Sequence, residues 1–520
     1  MSGGYLIGLD YGTDSARGVL VDIESGEVCA THAHRYRHGT LIDALPDGLP
    51  LKAGWALQNA PDYLECAEVI LAALGRGKRI EAIGIGFTAS SPLPASADGT
   101  PLSTRFPDDP HAYVKLWKHH SAQPWADEIS RERGVRLTKS GGKTSGEWLP
   151  AKAAQLAAEA PTLWAQTERF IEAGDWLVWQ LTGTEARSSD MARYKAHYSD
   201  AGYPPLGVDG LATRSSAPKR IGSSAGTVRR EWIERTGMLG EPAVAVAAID
   251  SHVILPALGA TQAGTLVGAL GTSAVYMLLD DTERPLPDGI EGVAKDAALP
   301  GLWCYEAGQA GFGDALAWFV KTAPLAEDLP ANFAAYNVSA ARLRPGESGL
   351  LALDWWNGCR VPLSDPQVSG MLLGLRTTTT RAEIYRAMME SLCFGARTII
   401  ELMQSEGAPV TRTILASGLS ENNRFLLQLM ADVLGEPVSV PDMHNATAVG
   451  AAIHGAVAAG VVRDFTDGAA RFGARAFQHF EPDAASADVY EALFEQYRML
   501  ASRAELREAM HVVSRLALPR

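Results

Sequence analysis

Two short segments, half a chain apart, share a pattern of apolar residues, a Gly-Thr turn and apolar residues again. The first covers Tyr5–Ile23 and turns at Gly12-Thr13. The second covers Gly264–Leu279 and turns at Gly271-Thr272. Apolar runs on both sides of a small polar turn are typical of β-hairpins, so the chain predicts two halves that each open with a hairpin. Gly-Thr turns between strands are common, and this echo alone leaves both duplication and coincidence open.

Length and periodicity predict an α/β chain with two large domains. Single hydrophobic cores stop growing beyond about 250 to 300 residues, so 520 residues need more than one core. Strand patterns alternate with helical periodicities, which favours sheets covered by helices. The predicted helices cover residues 59–75, 381–404, 423–434, 447–459 and 489–506. The last of these packs on its own domain or, as the alternative, forms a homodimer contact.

The charge and the cysteines exclude several classes of protein. The chain carries 46 basic and 60 acidic residues, and a net charge of −14 repels a phosphate backbone. Its first residues lack the basic stretch of a secretory leader, and their apolar run breaks at Asp10. We therefore expect a cytoplasmic protein without a nucleic-acid or membrane partner. The cysteines are widely spaced and form no CxxC pair, which predicts small buried side chains rather than disulfides or a zinc site: Cys29, Cys66, Cys304, Cys359 and Cys393.

Two segments resemble nucleotide-binding motifs only in part. Ser140–Thr144 ends like a P-loop, but Leu137 stands where that motif requires its first glycine. Ile83–Gly86 begins like a dinucleotide fingerprint, yet Pro92 and Pro94 interrupt the helix that should follow. Neither segment predicts a nucleotide site.

Three histidines stand close together within residues 31–40 and raise the question of a metal site. The segment is rich in arginine and contains no acidic or cysteine partner. We therefore predict a solvated loop around these histidines, which are His32, His34 and His38.

The two hairpin turns are the stronger candidates for chemistry. Small residues at such turns let successive backbone N–H groups converge on an anion and so cradle phosphates. Asp10, at the end of the first strand, is a hard oxygen ligand that can hold hydrated Mg²⁺ beside those phosphates. Ala269 takes its place in the second hairpin, so only the first hairpin offers a carboxylate. Arg17 either faces the phosphates or pairs within the protein.

The first hairpin also carries a distinctive sequence. Gly8–Arg17, which reads GLDYGTDSAR, resembles the first phosphate loop of the FGGY family of carbohydrate kinases. Gly370–Leu375, followed by Glu383–Glu390, is similar to the C-terminal signature of that family. Within the family, further segments look most like the ribulokinases, namely residues 113–120, 145–148, 306–309 and 353–358. The resemblance spans nearly the whole chain.

The resemblance implies a fold and a division of the chain. The family fold is α/β, with two actin-like, ribonuclease-H-like ATPase domains around a central cleft, and the two hairpins would be its duplicated phosphate loops. Residues 1–260 would form the N-terminal domain, with the sugar site and the first phosphate loop. Residues 261–520 would form the C-terminal domain, with the second phosphate loop and the adenosine site.

The resemblance also implies roles for individual residues. Asp250 is expected to be the general base that accepts the proton of the sugar hydroxyl, and Asp10 the carboxylate beside Mg²⁺. Expected contacts with ATP come from Asp10, Gly12, Thr13, Ser15, Arg17, Gly271, Thr272, Ser273, Gly418 and Asn423. Expected sugar contacts come from Trp117, Lys195, Asp250 and Glu306. Without the resemblance, Asp250 would more often be a helix or turn cap.

The chain departs from the family pattern in two places. The family commonly has Gly-Gly where this chain has Ser417-Gly418, and Asn422 is the alternative to Asn423 in the adenosine site. The upstream signature of the family has a tryptophan three residues after a lysine, whereas Lys152 is followed by Gln155. That segment therefore does not help to choose a substrate.

These assignments predict a Mg²⁺-dependent and ATP-dependent kinase that phosphorylates the terminal hydroxyl of a ketopentose, with ribulose as the first choice. Xylulose or another polyol is the alternative within the family, because sugar contacts are few. An actin-like ATPase switch without a small-molecule acceptor is the alternative from another class, since it uses the same duplicated hairpins. Stimulation of ATP turnover by a sugar distinguishes the two classes.

Overall fold

The computed structural model describes residues 3–133, 137–416 and 423–516. Its strands are β1 (Tyr5–Tyr11), β2 (Ser15–Asp22), β3 (Val28–Arg35), β4 (Leu57–Gln58), β5 (Ile80–Phe87), β6 (Pro92–Ala95), β7 (Val114–Lys115), β8 (Arg169–Glu172), β9 (Ser224–Thr227), β10 (Ala243–Ala245), β11 (Ala248–Ile249), β12 (Thr265–Leu270), β13 (Ala274–Asp280), β14 (Gly292–Lys295), β15 (Trp303–Gln309), β16 (Leu351–Leu353), β17 (Met371–Leu373), β18 (Arg412–Ala416), β19 (Val438–Pro441) and β20 (Phe477–Phe480).

The α-helices alternate with these strands along the chain. They are α1 (Ala60–Gly75), α2 (Gln123–Arg133), α3 (Leu149–Glu159), α4 (Pro161–Gln166), α5 (Ala173–Thr182), α6 (Ser189–Lys195), α7 (Arg230–Thr236), α8 (Asp250–Val253), α9 (Gly313–Thr322), α10 (Leu329–Ala341), α11 (Arg381–Gln404), α12 (Arg424–Leu434), α13 (Ala446–Ala458), α14 (Phe465–Phe472), α15 (Ala487–Ala501) and α16 (Ala504–Leu516). Among the described residues, no helix is both long and apolar enough to cross a membrane.

The chain forms two compact units, and both are built from more than one stretch of sequence. Unit 1 contains Met1–Thr261, Val293–Cys304 and Met443–Arg475. Unit 2 contains Gln262–Gly292, Tyr305–Asp442 and Ala476–Arg520. The sequence predicts two domains that are each one continuous stretch, residues 1–260 and 261–520. It does not predict that residues 293–304 and 443–475 belong to unit 1.

The sheet of unit 1 has the strand order β3-β2-β1-β5-β10-β9, with β11 also paired to β5. Strands β1 and β2 form an antiparallel hairpin in which Asp10 lies opposite Arg17. Strand β5 runs parallel to β1, β10 parallel to β5, and β9 antiparallel to β10. The hairpin predicted from the sequence is therefore the centre of a larger mixed sheet.

The sheet of unit 2 repeats the central part of this topology. The strands that lie within unit 2 follow the order β15-β13-β12-β18-β19-β20. Strand β13 is antiparallel to β12, β18 is parallel to β12, β19 is parallel to β18, and β20 is antiparallel to β19. Two unrelated Gly-Thr turns would not share the order and directions of four neighbouring strands, β2-β1-β5-β10 and β13-β12-β18-β19, so the question left open by the sequence is answered in favour of duplication.

The core of unit 1 is covered by helices from distant parts of the chain. Helix α1 begins with Pro61 in its first turn and buries Ile70 and Leu74 against the sheet. Those two side chains lie where a Cβ on Gly18 would stand, so α1 approaches β2 closely. This is the amphipathic packing that the spacing of its apolar residues predicts.

Helix α13 packs against β1 and β5 with backbone touching backbone. A Cβ on Gly8 would collide with the carbonyl oxygen of Ala448, and a Cβ on Gly84 with that of Ala451. Glycine at these positions lets the helix approach the sheet more closely than any side chain would allow. The returning segment that contains α13 is thus an integral layer of unit 1.

The predicted helices are confirmed, with one exception near the end of the chain. Residues 489–506 were expected in one helix, but α15 ends at Ala501 and α16 begins at Ala504. The hydroxyl of Ser502 donates a hydrogen bond of 2.8 Å to the carbonyl oxygen of Met499, a local side-chain bond that competes with helix continuation.

The prediction of a solvated loop around the three histidines is wrong. Residues 28–35 form β3, and helix α1 supplies acidic partners that lie far away in sequence. Nδ1 of His38 lies 2.8 Å from Oδ1 of Asp62, and Nε2 of His34 lies 3.8 Å from Oε1 of Glu65. Within the described part of the chain, no cluster of three or more potential metal ligands is present. Cys29 was expected to be buried but is exposed on β3, which is an edge strand of its sheet.

Replacing Gly84 by alanine should destabilise unit 1. The new Cβ would collide with the backbone of α13, and neither β5 nor α13 can move without disturbing the sheet. We expect a loss of about 3 kcal/mol or more in the free energy of unfolding, measured by urea denaturation. Gly3→Ala is the control, because its Cβ would meet only the carboxylates of Glu24 at 3.7 Å and Asp22 at 4.0 Å, which are ordinary contact distances. Equal stability of the two variants would show that the close helix approach is not required.

Candidate active site

Three strands of unit 1 end together at one edge of the sheet. Tyr11 at the end of β1 and Ile249 at the end of β11 both pair with Phe87, the last residue of β5, in parallel register. The residues that follow these strands are therefore neighbours. They include Gly12, Thr88 and Asp250, and the N–H of Thr88 donates to the carbonyl oxygen of Tyr11 at 3.0 Å.

The first phosphate loop has its carbonyl groups tied to the protein. The hydroxyl of Tyr36 donates to the carbonyl oxygen of Gly12 at 2.7 Å, and Nε2 of Gln58 donates to that of Thr13 at 2.5 Å. The N–H of Tyr36 donates to the carbonyl oxygen of Asp14 at 3.2 Å. The N–H groups of Thr13 and Asp14 have no acceptor among the described residues. Two successive donors are thus available to an anion.

Asp10 is the acidic group beside this loop. Burial raises its pKa from the ordinary value of 3.8 to about 6, and the positive charge of Arg17 acts in the opposite direction. Arg17 itself is exposed, on the neighbouring strand and opposite Asp10. Ser15 closes the loop, because its carbonyl oxygen accepts the N–H of Gly12 at 3.1 Å. Both roles left open for Arg17 therefore stay predictions.

Asp250 is the first residue of α8 and directly follows β11. Its Oδ1 accepts the N–H of Ser251 at 2.8 Å. Burial raises its pKa from 3.8 to about 7, the negative charge of Asp10 adds to this effect, and Ser251, His252 and Lys195 oppose it. The side chain therefore makes the cap-like bond that its residue type predicts, yet it also has the proton affinity of a base that acts near neutral pH.

Two of the predicted sugar contacts also lie at this edge of unit 1. Nε1 of Trp117 donates to Oγ1 of Thr13 at 3.1 Å, which connects the indole with the phosphate loop. Lys195 is the last residue of α6, and its Nζ lies 5.8 Å from the ring centres of both Trp148 and Tyr194. Through its charge, Lys195 lowers the pKa of Asp250. Unit 1 thus brings together the first phosphate loop, the predicted base and two predicted sugar contacts.

The sequence prediction missed the turn after β5. Ser90 has a φ of 63°, which is unusual for a residue other than glycine. Nζ of Lys152, completely buried, donates to the carbonyl oxygens of Ser90 at 2.6 Å, Leu116 at 2.8 Å and Lys115 at 3.2 Å. Lys152 therefore joins this turn to β7, the strand before Trp117. It belongs to the segment whose sequence does not help to identify the substrate. The signal in the sequence is a lysine on an otherwise apolar helix face.

Unit 2 contains a second loop of the same design. The carbonyl oxygen of Gly271 accepts the N–H of Gly313 at 3.0 Å, and that of Thr272 accepts the N–H of Phe312 at 3.1 Å. The carbonyl oxygen of Ser273 accepts the N–H of Gly271 at 2.9 Å. In the described part of the chain, the N–H groups of Thr272 and Ser273 have no acceptor. This loop also presents two successive donors.

The turn that supports the second loop was not predicted. This turn leads into α9, whose first turn contains Asp314. Nδ2 of Asn357 donates a hydrogen bond of 2.5 Å to Oδ2 of Asp314. The signal in the sequence is the glycine-rich stretch Gly308–Gly313, which lies between a strand and a helix.

The remaining predicted residues of unit 2 fall in three places. Glu306 is half-buried on β15. Asn423 is the N-cap of α12: its Oδ1 accepts the N–H of Leu426 at 3.0 Å, and its Nδ2 donates to Oδ1 of Asn337 at 3.1 Å. Its amide thus already caps one helix and bonds to another. Gly418 and the alternative Asn422 lie outside the described residues.

Comparison with known sequences gives one consistent result. Residues 266–459 match the C-terminal domain of the FGGY family of carbohydrate kinases. The chain is 38% identical over 527 residues to a ribulokinase of Halalkalibacterium halodurans, covering 95% of this chain and 93% of that protein. It is 39% identical over 522 residues to a ribulokinase of Bacillus licheniformis, covering 94% of each.

Solved structures share the fold over the whole chain. The xylulose kinase of Rhodospirillum rubrum superposes with a TM-score of 0.83 at 23% identity, covering 98% of this chain and all of that one. This likeness confirms the predicted fold class of two actin-like ATPase domains. The sequence motifs, the duplicated hairpins and the full-length relatives agree, and the chain belongs to the FGGY family of carbohydrate kinases.

Proposed function

We propose that the protein is an ATP-dependent ketopentose kinase that transfers the γ-phosphoryl group to the terminal hydroxyl of ribulose. The observation that carries the proposal is the pairing of a phosphate loop with a protonatable carboxylate at one edge of unit 1. The loop offers the N–H groups of Thr13 and Asp14, and Asp250 follows the neighbouring strand. The relatives named ribulokinases support ribulose as the acceptor.

Phosphoryl transfer needs positioning and charge stabilisation more than covalent chemistry. Thr13 and Asp14 in unit 1, and Thr272 and Ser273 in unit 2, would donate their N–H groups to phosphate oxygens. These donors are fixed before ATP arrives, because the carbonyl groups of the same loops are already hydrogen-bonded to the protein. Fixed donors stabilise developing charge without reorganisation during the reaction.

Asp250 would accept the proton of the sugar hydroxyl as that oxygen attacks the γ-phosphorus. Its pKa near 7 suits a base that must take up a proton at neutral pH. The bond from Ser251 holds one carboxylate oxygen of Asp250 in place. Trp117 and Lys195 would contact the sugar through an apolar face and a charged hydrogen-bonding group. The sugar contact of Glu306 stays a prediction.

The residues beside the first loop fit a divalent cation. Asp10 and Asp250 are carboxylates close enough for one to raise the pKa of the other, so a cation near them would be stabilised. Mg²⁺ is commonly held by one or two carboxylates together with substrate phosphates and water, and it neutralises phosphate charge when bound. We propose Asp10 as its protein ligand.

Two other functions remain as alternatives. Xylulose or another polyol would need only different sugar contacts, and solved xylulose kinases share the fold. An ATPase switch would use the phosphate loops but has no need of Asp250 as a base. The cytoplasmic location and a homodimer stay predictions.

Changing Asp250 to asparagine should leave nucleotide affinity unchanged and lower turnover by about 10² to 10⁴-fold, the usual loss for a general base. Asparagine keeps the oxygen that accepts the N–H of Ser251 but cannot take up the proton. The measurement is steady-state kinetics with ribulose, together with ATP binding by calorimetry. Asp280→Asn is the matched control, because Asp280 is a buried aspartate bonded to Arg284 outside the site. Near-normal turnover of Asp250→Asn would remove Asp250 from catalysis.

Changing Asp10 to asparagine should raise the Mg²⁺ concentration for half-maximal rate by roughly tenfold or more. Metal affinity falls by about that factor even when the changed residue only supports a metal ligand. The neutral amide is a weaker ligand for a hard cation than the carboxylate. Magnesium titrations at saturating ATP and sugar measure the effect. An unchanged titration curve would make Asp10 a structural residue.

ADP release should be slow with ATP alone and should increase most with L-ribulose, less with D-ribulose or xylulose, and little with glycerol. Sugar contacts help to align the reacting groups, so the correct acceptor stimulates turnover. A coupled assay with a panel of sugars measures this order. Best stimulation by D-xylulose or glycerol would contradict ribulose as the substrate, and no stimulation by any sugar or polyol would favour the ATPase switch.

A further inference from the structure

A buried pair of side chains lies next to Asp250 and is not used in the mechanism above. Asp190 and His252 are both completely buried, and Oδ1 of Asp190 lies 2.7 Å from Nδ1 of His252. A carboxylate only accepts hydrogen bonds, so Nδ1 of the imidazole carries the hydrogen. The other oxygen of Asp190, Oδ2, accepts the backbone N–H of Ile249 at 2.9 Å.

These two bonds lie on both sides of Asp250 along the chain. Ile249 directly precedes Asp250, and His252 follows two residues later. Asp190 therefore binds the backbone before the proposed base and the side chain after it. Its own position is fixed by the first turn of α6, where the hydroxyl of Ser188 caps the N–H of Asp190 at 3.1 Å.

The same helix carries the predicted sugar contact Lys195. Lys195 lies five positions after Asp190, a rise of about 7.5 Å along a helix. The ring of Tyr194, just before Lys195, contacts the ring of His252 edge to face, with 4.6 Å between the ring centres. Helix α6 and the segment 249–252 thus touch at both ends of α6.

We propose that Asp190 and His252 are positioning residues that set the place of the Asp250 carboxylate relative to Lys195. The inference rests on the proposed function, in which Asp250 accepts a proton and Lys195 binds the sugar. Reaction rates depend steeply on such placement, and an error of about 1 Å can lower a rate about 10²-fold. The pair acts through Asp250 and does not contact the substrate itself.

Stability alone does not account for this pair. Replacing a buried ion pair by apolar residues of similar size is often neutral for stability, so such a pair is weak evidence of a stabilising role. The contacts of Asp190 converge on residues 249 and 252, which flank Asp250 in the chain. In contrast, the buried pair of Arg386 and Glu390, at 2.8 Å, binds helix α11 to carbonyl groups at the end of α10 and just beyond it.

Kinetics of four variants of the full chain test the proposal. His252→Phe keeps a ring against Tyr194 but loses the bond, and Asp190→Leu removes both acceptors at similar size. We expect kcat to fall about 10 to 100-fold in each, with the KM for ATP within twofold of the wild-type value. The KM for ribulose should rise, because Lys195 is displaced. His252→Asn and Asp190→Asn retain hydrogen-bonding atoms at the same places and should recover most of kcat.

Glu390→Gln is the matched control for the loss of a buried ion pair. We expect it to lower the melting temperature without changing kcat per folded molecule, with the folded fraction measured by circular dichroism. Unchanged kcat in His252→Phe would overturn the proposal, as would an equal loss of kcat in Glu390→Gln. His252→Phe keeps the test decisive where Asp190→Leu does not fold.

Hydrogen exchange separates this inference from the proposed function. The amide of Ile249 is bonded to Asp190, so we expect it to exchange faster in His252→Phe than in the wild type, without any substrate. Equal protection in the two proteins would overturn the positioning role, whatever the sugar assay shows. Absence of sugar stimulation in the wild type, with faster exchange in the variant, would overturn the kinase function alone.

Discussion

The close contact between helix α13 and strands β1 and β5 is the constraint on which the site of unit 1 depends. Gly8 and Gly84 leave room for helix carbonyl groups at the middle of these strands. Two residues further along β1 stands Asp10, and the phosphate loop follows. Because the contact fixes both strands rigidly, the loop, Asp10 and the turn after β5 hold their places without needing a ligand. Preorganisation of this kind is what phosphoryl transfer requires.

Because the sheet is duplicated, each unit has a hairpin loop with backbone N–H groups that can bind an anion. The two loops differ in their acidic side chains. Both tie their carbonyl groups to the protein and leave two N–H groups for an anion. Only the first has a carboxylate, since Ala269 stands where Asp10 stands in the other hairpin. In the proposed mechanism, the metal and the proton chemistry would therefore belong to unit 1, while the second loop would offer hydrogen-bond donors without a carboxylate.

The sequence predicts the features that depend on neighbouring residues. The hairpins, the helices over 60–75 and 381–404, and the place of Asp10 all follow from local pattern or motif. The features it misses depend on pairing across long stretches of chain. The three carbonyl groups around Lys152, the acidic partners of His34 and His38, and the bond between Asp190 and His252 join residues that share no periodicity. Buried polar groups find partners wherever the fold provides them, and a single sequence does not contain that information.

The return of residues 443–475 to unit 1 has a consequence for synthesis on the ribosome. Strands β1 and β5 emerge early, but the helix that covers their glycine faces is made more than 350 residues after Gly84. At roughly 5 to 20 residues per second this leaves the sheet uncovered for tens of seconds. The nascent N-terminal half therefore has these strand faces uncovered until its last layer has been translated.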